Sequence, residues 1–204
     1  FLDTILPLQY FSSLFCLQIL LNAPSFNQKM RILYLYSEVM GYTLATIKAL
    51  VQKGAEVHIV HWDKKGKLTP YQIKKTMNIH YYSRSEINYE SLRKLVEKIQ
   101  PDITVVSGWQ DWLYLKIARK LRNQGRNVVA GLDGQWEGSF KQYLGSLVCV
   151  FGIMKIYFSH AWIAGIYQFD YARRLGFQSK DIIFDLYSAD VQLFHQVFQE
   201  RSLG

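Results

Sequence analysis

MRILYLYSEVMGYTLATIKALVQKGAEVHIVHWD, residues 30–63, is the stretch that decides the fold. Residues 31–36 and 55–62 are short apolar runs typical of buried strands. Between them, residues 43–53 carry apolar side chains at helical spacing until Gly54 ends the pattern. A strand, a helix and a second strand in this order form a βαβ unit, so we expect the two strands to be parallel with a right-handed crossover.

The same alternation continues along the chain. Further strands are predicted at residues 79–82, 103–106, 127–132, 155–158 and 181–186. Further helices are predicted at residues 89–99, 112–122, 138–152 and 165–175. We therefore predict one α/β domain over residues 30–186, a doubly wound, mainly parallel Rossmann-like sheet of about seven strands with helices on both faces.

Composition restricts the class of protein. A chain of 204 residues that is half apolar can bury one substantial core. Its net charge of +8 favours phosphates, nucleic acid or an anionic membrane surface without choosing among them. The basic run at residues 63–67, followed by Lys74 and Lys75, is more typical of a solvated loop, and no nucleic-acid motif accompanies it. Cys16 and Cys149 form no metal-ligand cluster, and two widely spaced cysteines suit a reducing compartment.

The N-terminal residues 1–29 form a separate apolar extension. Asp3, Pro7 and two glutamines interrupt it, and no basic start accompanies it. It can be read as an interfacial helix, as a marginal membrane anchor, or as sequence upstream of a start at Met30, which we favour because a strand follows that Met at once.

The loops after the predicted strands carry the candidate site, since ligands of doubly wound sheets bind outside the carboxyl ends of the strands. All five tryptophans are predicted there: Trp62, Trp109, Trp112, Trp136 and Trp162. Polar side chains accompany them, namely Ser37, Glu38, His61, Asp63, Ser107, Gln110, Asp111, Asp133, Gln135, Glu137, Ser159 and His160. Aromatic faces beside carboxylates and amides suit a carbohydrate. Each tryptophan taken alone is more often a core residue, and Trp112 has the spacing of a buried helix face with Leu115.

The turn that contains Ser37, Glu38, Gly41 and Tyr42 opens a helix whose N–H groups could meet a phosphate. No G-x-G-x-x-G or Walker lysine pattern is present, which argues against a nicotinamide dehydrogenase, and Gly41 is more simply explained by an unusual backbone angle.

Asp133 and His160 are the best candidates for proton transfer, because each follows a predicted strand. A helix cap or a structural hydrogen bond is the commoner role for such residues, and Asp111 is predicted to cap the next helix. Neither G-x-S-x-G nor H-E-x-x-H occurs, so the sequence does not support a serine or zinc hydrolase.

Three segments carry a family resemblance: residues 30–63, PDITVVSGWQDWLYLKIARKL at 101–121, and YARRLGFQSKDIIFDLYSADVQLF at 171–194. From Met30 to about His195 the chain resembles the N-terminal, acceptor-side domain of GT-B glycosyltransferases of the family 4 (group 1) type. The third segment is the most specific. Where family members write Asn-Gly-Val-Asp, two residues and Phe between their domains, this chain has Tyr187, Asp190 and Phe194 in the matching region. The first loop lacks the family's usual Gly-Gly, and Asp133 stands where relatives often have His.

The resemblance implies transfer of a sugar from a nucleoside-diphosphate donor to a hydroxyl acceptor, with retention of configuration and no cofactor or active-site metal. It assigns the nucleotide and the paired glutamates of an E-x7-E motif to a second domain beyond residues 187–204, so we expect this chain alone to be an inactive fragment. The acceptor or donor-phosphate cleft would include Ser37, Glu38, Gly41, Tyr42, Trp109, Gln110, Asp111, Gln135, Trp136 and Trp162. The expected partners are a nucleotide sugar and a carbohydrate or lipid-linked acceptor at the inner membrane face, in a cytoplasmic protein that binds no nucleic acid.

Two other classes of protein stay open at this stage. One is a non-catalytic binding domain or one subunit of a split glycosyltransferase. The other is a receiver-like or nucleotide-binding regulator with the same winding, which is weaker because the first strand is followed by Glu38 alone and not by an acidic cluster.

Overall fold

The sheet follows the predicted order closely. The computed structural model describes residues 29–62, 78–149 and 152–187, together with residues 195, 198, 199 and 201. Its strands are β1 (Arg31–Tyr36), β2 (Glu56–His61), β3 (Ile79–Ser83), β4 (Ile103–Val106), β5 (Asn127–Leu132), β6 (His160–Ile163) and β7 (Ile182–Ile183). They form one sheet in the order β3-β2-β1-β4-β5-β6-β7, and every pair of neighbours is parallel. The predicted doubly wound, seven-stranded sheet is confirmed.

The helices connect successive strands, as parallel pairing requires. They are α1 (Gly41–Gln52), α2 (Tyr89–Ile99), α3 (Trp112–Asn123), α4 (Phe140–Cys149), α5 (Ile153–Tyr157) and α6 (Ile166–Arg174), with short 3-10 turns at Arg84–Glu86 and Ser179–Asp181. The start of α2 shows how the sequence sets a boundary. Asn88 and Ser91 form a capping box in which each side chain accepts a hydrogen bond from the other residue's backbone N–H, at 2.9 and 3.0 Å.

Two apolar layers cover the sheet, one on each face. Alternation along β1 sends Leu33 and Leu35 to the layer that contains the buried side chains of α2, α3, α5 and α6. Ile32, Tyr34 and Tyr36 point to the opposite layer, where α1 packs. The strands are buried on both faces, which is why they read as continuous apolar runs in the sequence.

The prediction for residues 155–158 is wrong. Residues 153–157 form the short helix α5, and the sixth strand begins only at His160. A short apolar run fits a buried helix and a buried strand equally well, so periodicity could not decide between them. The shift moves His160 from the carboxyl end of a strand to the amino end of β6 and places Trp162 inside that strand.

Several predicted features lie outside the described residues: most of the N-terminal extension, the basic run after Trp62, and the junction residues Asp190 and Phe194. Among the helices that the structure does describe, none combines the length and the apolar character needed to cross a membrane.

Candidate functional site

A cleft of about 370 Å³ opens at the carboxyl ends of β1, β4 and β5. Strands β1 and β4 are neighbours in the sheet but are not consecutive among the strands, so the winding reverses between them, which is where such folds bind ligands. The cleft is lined by Tyr36, Ser37, Glu38, Met40, Tyr42, Ser107, Gly108, Trp109, Gln110, Gly131, Leu132, Asp133, Gly134, Tyr171, Leu186 and Tyr187.

Two serines join the loops on either side of the switch point. The backbone N–H of Ser37 donates to Ser107 Oγ at 2.8 Å, and Ser107 Oγ donates to Ser37 Oγ at 3.3 Å. The loops after β1 and β4 therefore form one floor for the cleft.

The N-terminus of α1 also lies at the cleft. Its N-cap residue, Met40, offers no side-chain hydrogen bond, and its first turn contains no acidic residue. The first N–H groups of a helix have no partner within the helix and carry a partial positive charge. This end of α1 is therefore suited to an anionic group.

Three tyrosines surround Asp133. The rings of Tyr42 and Tyr187 are 4.1 Å apart between centroids. Burial raises the pKa of the Tyr187 hydroxyl above its usual range, and its hydrogen bonds with Tyr42 and Asp133 raise it further. Burial likewise raises the pKa of Tyr36, with additional contributions from Tyr42 and Asp133. A tyrosine has one O–H donor, so Tyr187 directs its proton to the Asp133 carboxylate or to Tyr42, and its hydroxyl helps to position Asp133 at the cleft.

Gly131 makes room for this group at the end of β5. A Cβ atom at that position would lie 3.3 Å from the hydroxyl oxygen of Tyr36 and 3.6 Å from the carbonyl oxygen of Val106. Glycine therefore allows the Tyr36 hydroxyl to lie against the backbone of β5.

An aromatic row runs from the cleft along the loop after β5. Trp109 contacts Tyr171 edge to face at 6.5 Å, Tyr171 lies 6.0 Å from Trp136, and Trp136 contacts Tyr143 of α4 at 4.9 Å. The guanidinium of Arg174 lies 4.3 Å from the centroid of the Trp136 ring. A cation over an aromatic face is attractive, so Arg174 helps to hold Trp136 in place.

Two glutamines hold the loop between β5 and α4. Gln142 Oε1 accepts from the backbone N–H of Glu137 at 2.9 Å, and its Nε2 donates to the carbonyl of Gln135 at 2.9 Å. Gln168 Nε2 donates to the carbonyl of Asp133 at 3.2 Å. The backbone around Asp133 is thereby anchored to both α4 and α6.

The cleft unites about half of the predicted site residues. Those that line it are Ser37, Glu38, Tyr42, Trp109, Gln110, Asp133 and Tyr187. Gly41 begins α1 in helical conformation, so its predicted unusual backbone angle is wrong. Gln135 and Trp136 lie in the loop beyond the cleft, where Gln135 contributes a carbonyl to Gln142 and Trp136 belongs to the aromatic row.

Asp111 serves the structure around the site. It caps α3, as predicted, with Oδ1 accepting from the backbone N–H of Leu113 at 2.8 Å. Its Oδ2 also accepts from Arg84 Nε at 2.8 Å and from the indole N–H of Trp62 at 2.9 Å. Burial alone would raise the pKa of this carboxyl, but the bonds from Arg84 and Trp62 dominate and lower it below its usual value. Trp112, predicted on a buried helix face, is 63% exposed at the start of α3, so that alternative is wrong.

His160 and Trp162 do not reach the cleft. His160 is the first residue of β6, at the amino end of the strand and away from the cleft, where its Nδ1 lies 2.9 Å from Ser159 Oγ. Trp162 is buried in the layer that contains Tyr34, and its indole N–H donates to the carbonyl of Phe184 at 3.0 Å. Both misplacements follow from the wrong position of the sixth strand.

Sequence reasoning missed Tyr36, Tyr171 and Leu186 as lining residues. Tyr36 reads as the last apolar residue of a buried strand, and Tyr171 reads as part of the face of α6. A tyrosine at the carboxyl end of a parallel strand is a usable signal, because its hydroxyl can leave the core at that edge. Tyr171 and Leu186 reach the cleft from elements distant in sequence, and no local pattern reveals that.

The fold and the cleft define a doubly wound α/β domain with a ligand site at its switch point. The chain belongs to the glycosyl transferase 4-like family, whose model matches residues 31–161. No curated protein matches the chain.

Solved structures resemble part of this chain at low identity. WbmG from Bordetella bronchiseptica, solved with NAD and UDP, is 13% identical, with 53% of this chain and 39% of that chain covered at a TM-score of 0.41. A UDP-glucose 4-epimerase from Thermotoga maritima is 12% identical, with 66% of this chain and 54% of that chain covered at a TM-score of 0.44. An epimerase from Methanothermobacter thermautotrophicus is 12% identical, with 68% of this chain and 55% of that chain covered at a TM-score of 0.46. The chain spans 39% to 40% of the length of WbmG and of WbmH, a second enzyme from Bordetella bronchiseptica.

Proposed function

We propose that this chain is the acceptor-side domain of a glycosyltransferase, which transfers a sugar from a nucleoside diphosphate to a hydroxyl group. One observation carries the proposal: a helix N-terminus, a carboxylate and an exposed tryptophan face the same cleft at the switch point. Family membership supports the class of reaction.

The donor phosphates fit the α1 side of the cleft. As the bond between the sugar and the diphosphate breaks, negative charge grows on the leaving oxygen. The N-terminus of α1 and the hydroxyl of Tyr36 are donors held in place by the fold, and they stabilise such charge without reorganising.

The acceptor fits the side of Asp133 and Trp109. The acceptor hydroxyl donates a hydrogen bond to the Asp133 carboxylate, which makes its oxygen a better nucleophile. That oxygen forms the new glycosidic bond while the bond between the sugar and the diphosphate breaks, and Asp133 takes the proton of the acceptor hydroxyl. Trp109, which is 37% exposed at the mouth of the cleft, offers a face on which a sugar ring can stack.

The resemblance also supports three finer proposals: a second domain that binds the nucleotide, retention of configuration, and no metal ion in this cleft. The first test is the gene sequence beyond the Gly204 codon. An open frame that encodes a further α/β domain, with two glutamates eight positions apart as in an E-x7-E motif, is the expected result. A stop codon there would overturn the proposal that the second domain belongs to the same chain.

The catalytic test uses the two-domain protein and a carboxylate pair of matched chemistry. Asp133→Asn should lower the rate of sugar transfer by about 10² to 10⁴, the range of general acid and base contributions. Asp170→Asn is the control, because Asp170 is exposed on α6 and pairs only with Arg174 among the interactions the structure describes for it. Equal rates for the two variants would remove Asp133 from the mechanism.

The alternative function is a binding domain that recruits a catalytic partner. Such a domain would use the same cleft to bind a carbohydrate acceptor. This alternative predicts that no two-domain assembly transfers a sugar. Transfer by the assembled protein, lost in Asp133→Asn, rejects this alternative.

We further propose a peripheral contact with an anionic membrane, supported by the surface of α4. This helix turns its apolar side chains outward: Phe140, Tyr143, Leu144, Leu147 and Val148 are between 47% and 81% exposed. Its buried residue is Cys149, and Gln142 and Ser146 are partly covered. Exposed apolar patches mark interaction surfaces, and the net charge of +8 complements anionic lipid.

A further inference from the structure

A cluster of three potential metal ligands lies on the sheet away from the cleft. Glu56 and His58 are alternate residues of β2, so their side chains share one face, and His80 is the register partner of His58 on β3. The rings of His58 and His80 stack at 4.5 Å with 15° between their planes. One ligand atom from each of the three residues lies within 4.8 Å of the others.

We propose that Glu56, His58 and His80 bind a divalent transition-metal ion, with zinc the preferred occupant. Two imidazoles and a carboxylate are an established zinc ligand set, completed by water in a tetrahedral site. Zinc bonds of about 2.0–2.1 Å separate tetrahedral ligands by about 3.4 Å. Glu56 Oε1 lies 3.5 Å from His58 Nε2 and 3.0 Å from His80 Nε2, both near that separation, and the two stacked rings would turn toward each other to share one ion.

The surroundings of His58 favour this role. Its Nδ1 lies 3.1 Å from the hydroxyl oxygen of Tyr82, and donation from Nδ1 to that oxygen leaves the lone pair on Nε2, which faces Glu56. A partner on the second ring nitrogen is the usual way in which proteins fix a metal-binding histidine. The second oxygen of Glu56 lies 3.6 Å from Lys29 Nζ, so the ion uses Oε1 while Lys29 holds Oε2.

The position defines what the ion would do. Glu56 is the first residue of β2, at the opposite end from the cleft, and the side chain of His80 is 46% exposed, so an ion enters from solvent. Strand β3 has one neighbour in the sheet, β2. A metal bridge between these strands fastens the edge of the sheet and takes no part in sugar transfer.

The test is calorimetric titration of zinc chloride into the full chain, purified without a histidine tag and treated with a chelator. We expect one equivalent to bind and to raise the melting temperature, because a ligand specific for the folded state stabilises it. His80→Gln and Glu56→Gln should each weaken binding by about 100-fold or more, since losing a ligand exceeds the roughly 10- to 100-fold effect of losing a supporting partner. Tyr82→Phe should fall within that smaller range.

His61→Gln is the matched control, because His61 belongs to β2 but points away from the cluster, with its Nδ1 near the carbonyl of Trp62. It should bind zinc as the wild type does. Circular dichroism confirms that each variant is folded, and visible absorption of bound cobalt reports a tetrahedral site. Failure of the folded wild type to bind zinc, or unchanged binding in both His80→Gln and Glu56→Gln, would overturn the proposal.

Discussion

Asp111 shows how much one side chain can connect in this protein. It caps α3, accepts two bonds from Arg84 and holds the indole of Trp62, so it joins the loops after β2, β3 and β4. Its side chain is 9% exposed and that of Arg84 is 26% exposed, so the ion pair is largely shielded from solvent. Removing one member of a shielded pair leaves the other without compensation.

We predict that Asp111→Ala destabilises the protein by about 3 kcal/mol, combining about 1 kcal/mol for the cap with the loss of charge-assisted bonds. Urea denaturation measures the change. Asp170→Ala removes a carboxylate whose pair with Arg174 is exposed, and it should cost less than about 1 kcal/mol. Similar losses in the two variants would show that the network around Asp111 contributes little.

His160 makes stability depend on pH. Burial lowers the pKa of this histidine and Arg122 lowers it further, against an opposing effect of Asp181. An unfolded histidine binds a proton below about pH 6.5, whereas folded His160 does so only at lower pH. The unfolded state thus holds more protons in this window, so stability falls as pH drops through it.

We expect the free energy of unfolding of His160→Gln to decline less than that of the wild type between pH 7.5 and pH 5.5, as measured by urea denaturation at each pH. Above pH 7.5 the two proteins should respond to pH in parallel. An identical decline in both proteins below pH 6.5 would exclude His160 as a source of the effect.

Among the elements, buried parallel strands were the most predictable. The bounds of β1, β4, β5 and α2 match their predictions because continuous apolar runs and a capped, strongly periodic helix leave few alternatives. The segment 153–163 failed because two short apolar runs compete there, and the local pattern does not rank them. About half of the cleft could be predicted, because its loop residues follow directly from the positions of the strand ends. The contributions of Tyr171 and Leu186 could not, because they depend on tertiary packing.

Gly176 follows Leu175, the C-cap residue of α6, at a position that requires glycine. Its φ is +90°, and a Cβ atom there would lie 2.9 Å from the carbonyl oxygen of Cys149 at the end of α4. We predict that Gly176→Ala destabilises the protein by about 2 kcal/mol, since strain and a clash with rigid backbone combine.

Gly145 provides the matched comparison for Gly176. It lies within α4, and a Cβ atom there would contact nothing within 4 Å. Gly145→Ala should therefore raise stability by about 0.5–1 kcal/mol. Thermal denaturation of both variants tests the pair, and a destabilised Gly145→Ala would indicate that this face of α4 is covered.

At the scale of the whole molecule, net charge and the outward apolar face of α4 act together. Charge draws the protein to an anionic surface and is screened by salt, whereas apolar insertion depends little on salt. We predict that the protein sediments with vesicles containing phosphatidylserine, and that binding falls as salt rises from about 0.05 M to about 0.5 M.

The double variant Leu144→Ser and Leu147→Ser should lose the part of the vesicle binding that persists at high salt, because the apolar contribution is removed and the net charge is unchanged. Trp112→Ser is the control, because Trp112 is as exposed as Leu147 but belongs to α3. An equal loss of vesicle binding in the control would indicate that exposed apolar residues bind lipid non-specifically. Retention of the salt-resistant binding by the double variant would exclude α4 as the contact.

The pairing of β1 with β4 has a consequence for the order of folding. Every other neighbouring pair in the sheet joins strands that are consecutive among the seven, so β1-β2-β3 and β4-β5-β6-β7 can each assemble from nearby chain. Pairing β1 with β4 joins Ile32 to Ile103, the widest separation in sequence of any neighbouring strands in the sheet, and such non-local pairings form slowly. The cleft lies across that seam, so it comes into existence only when the halves meet. A ligand seated in it therefore holds the two halves together, and ligand binding is a direct report that the domain has finished folding.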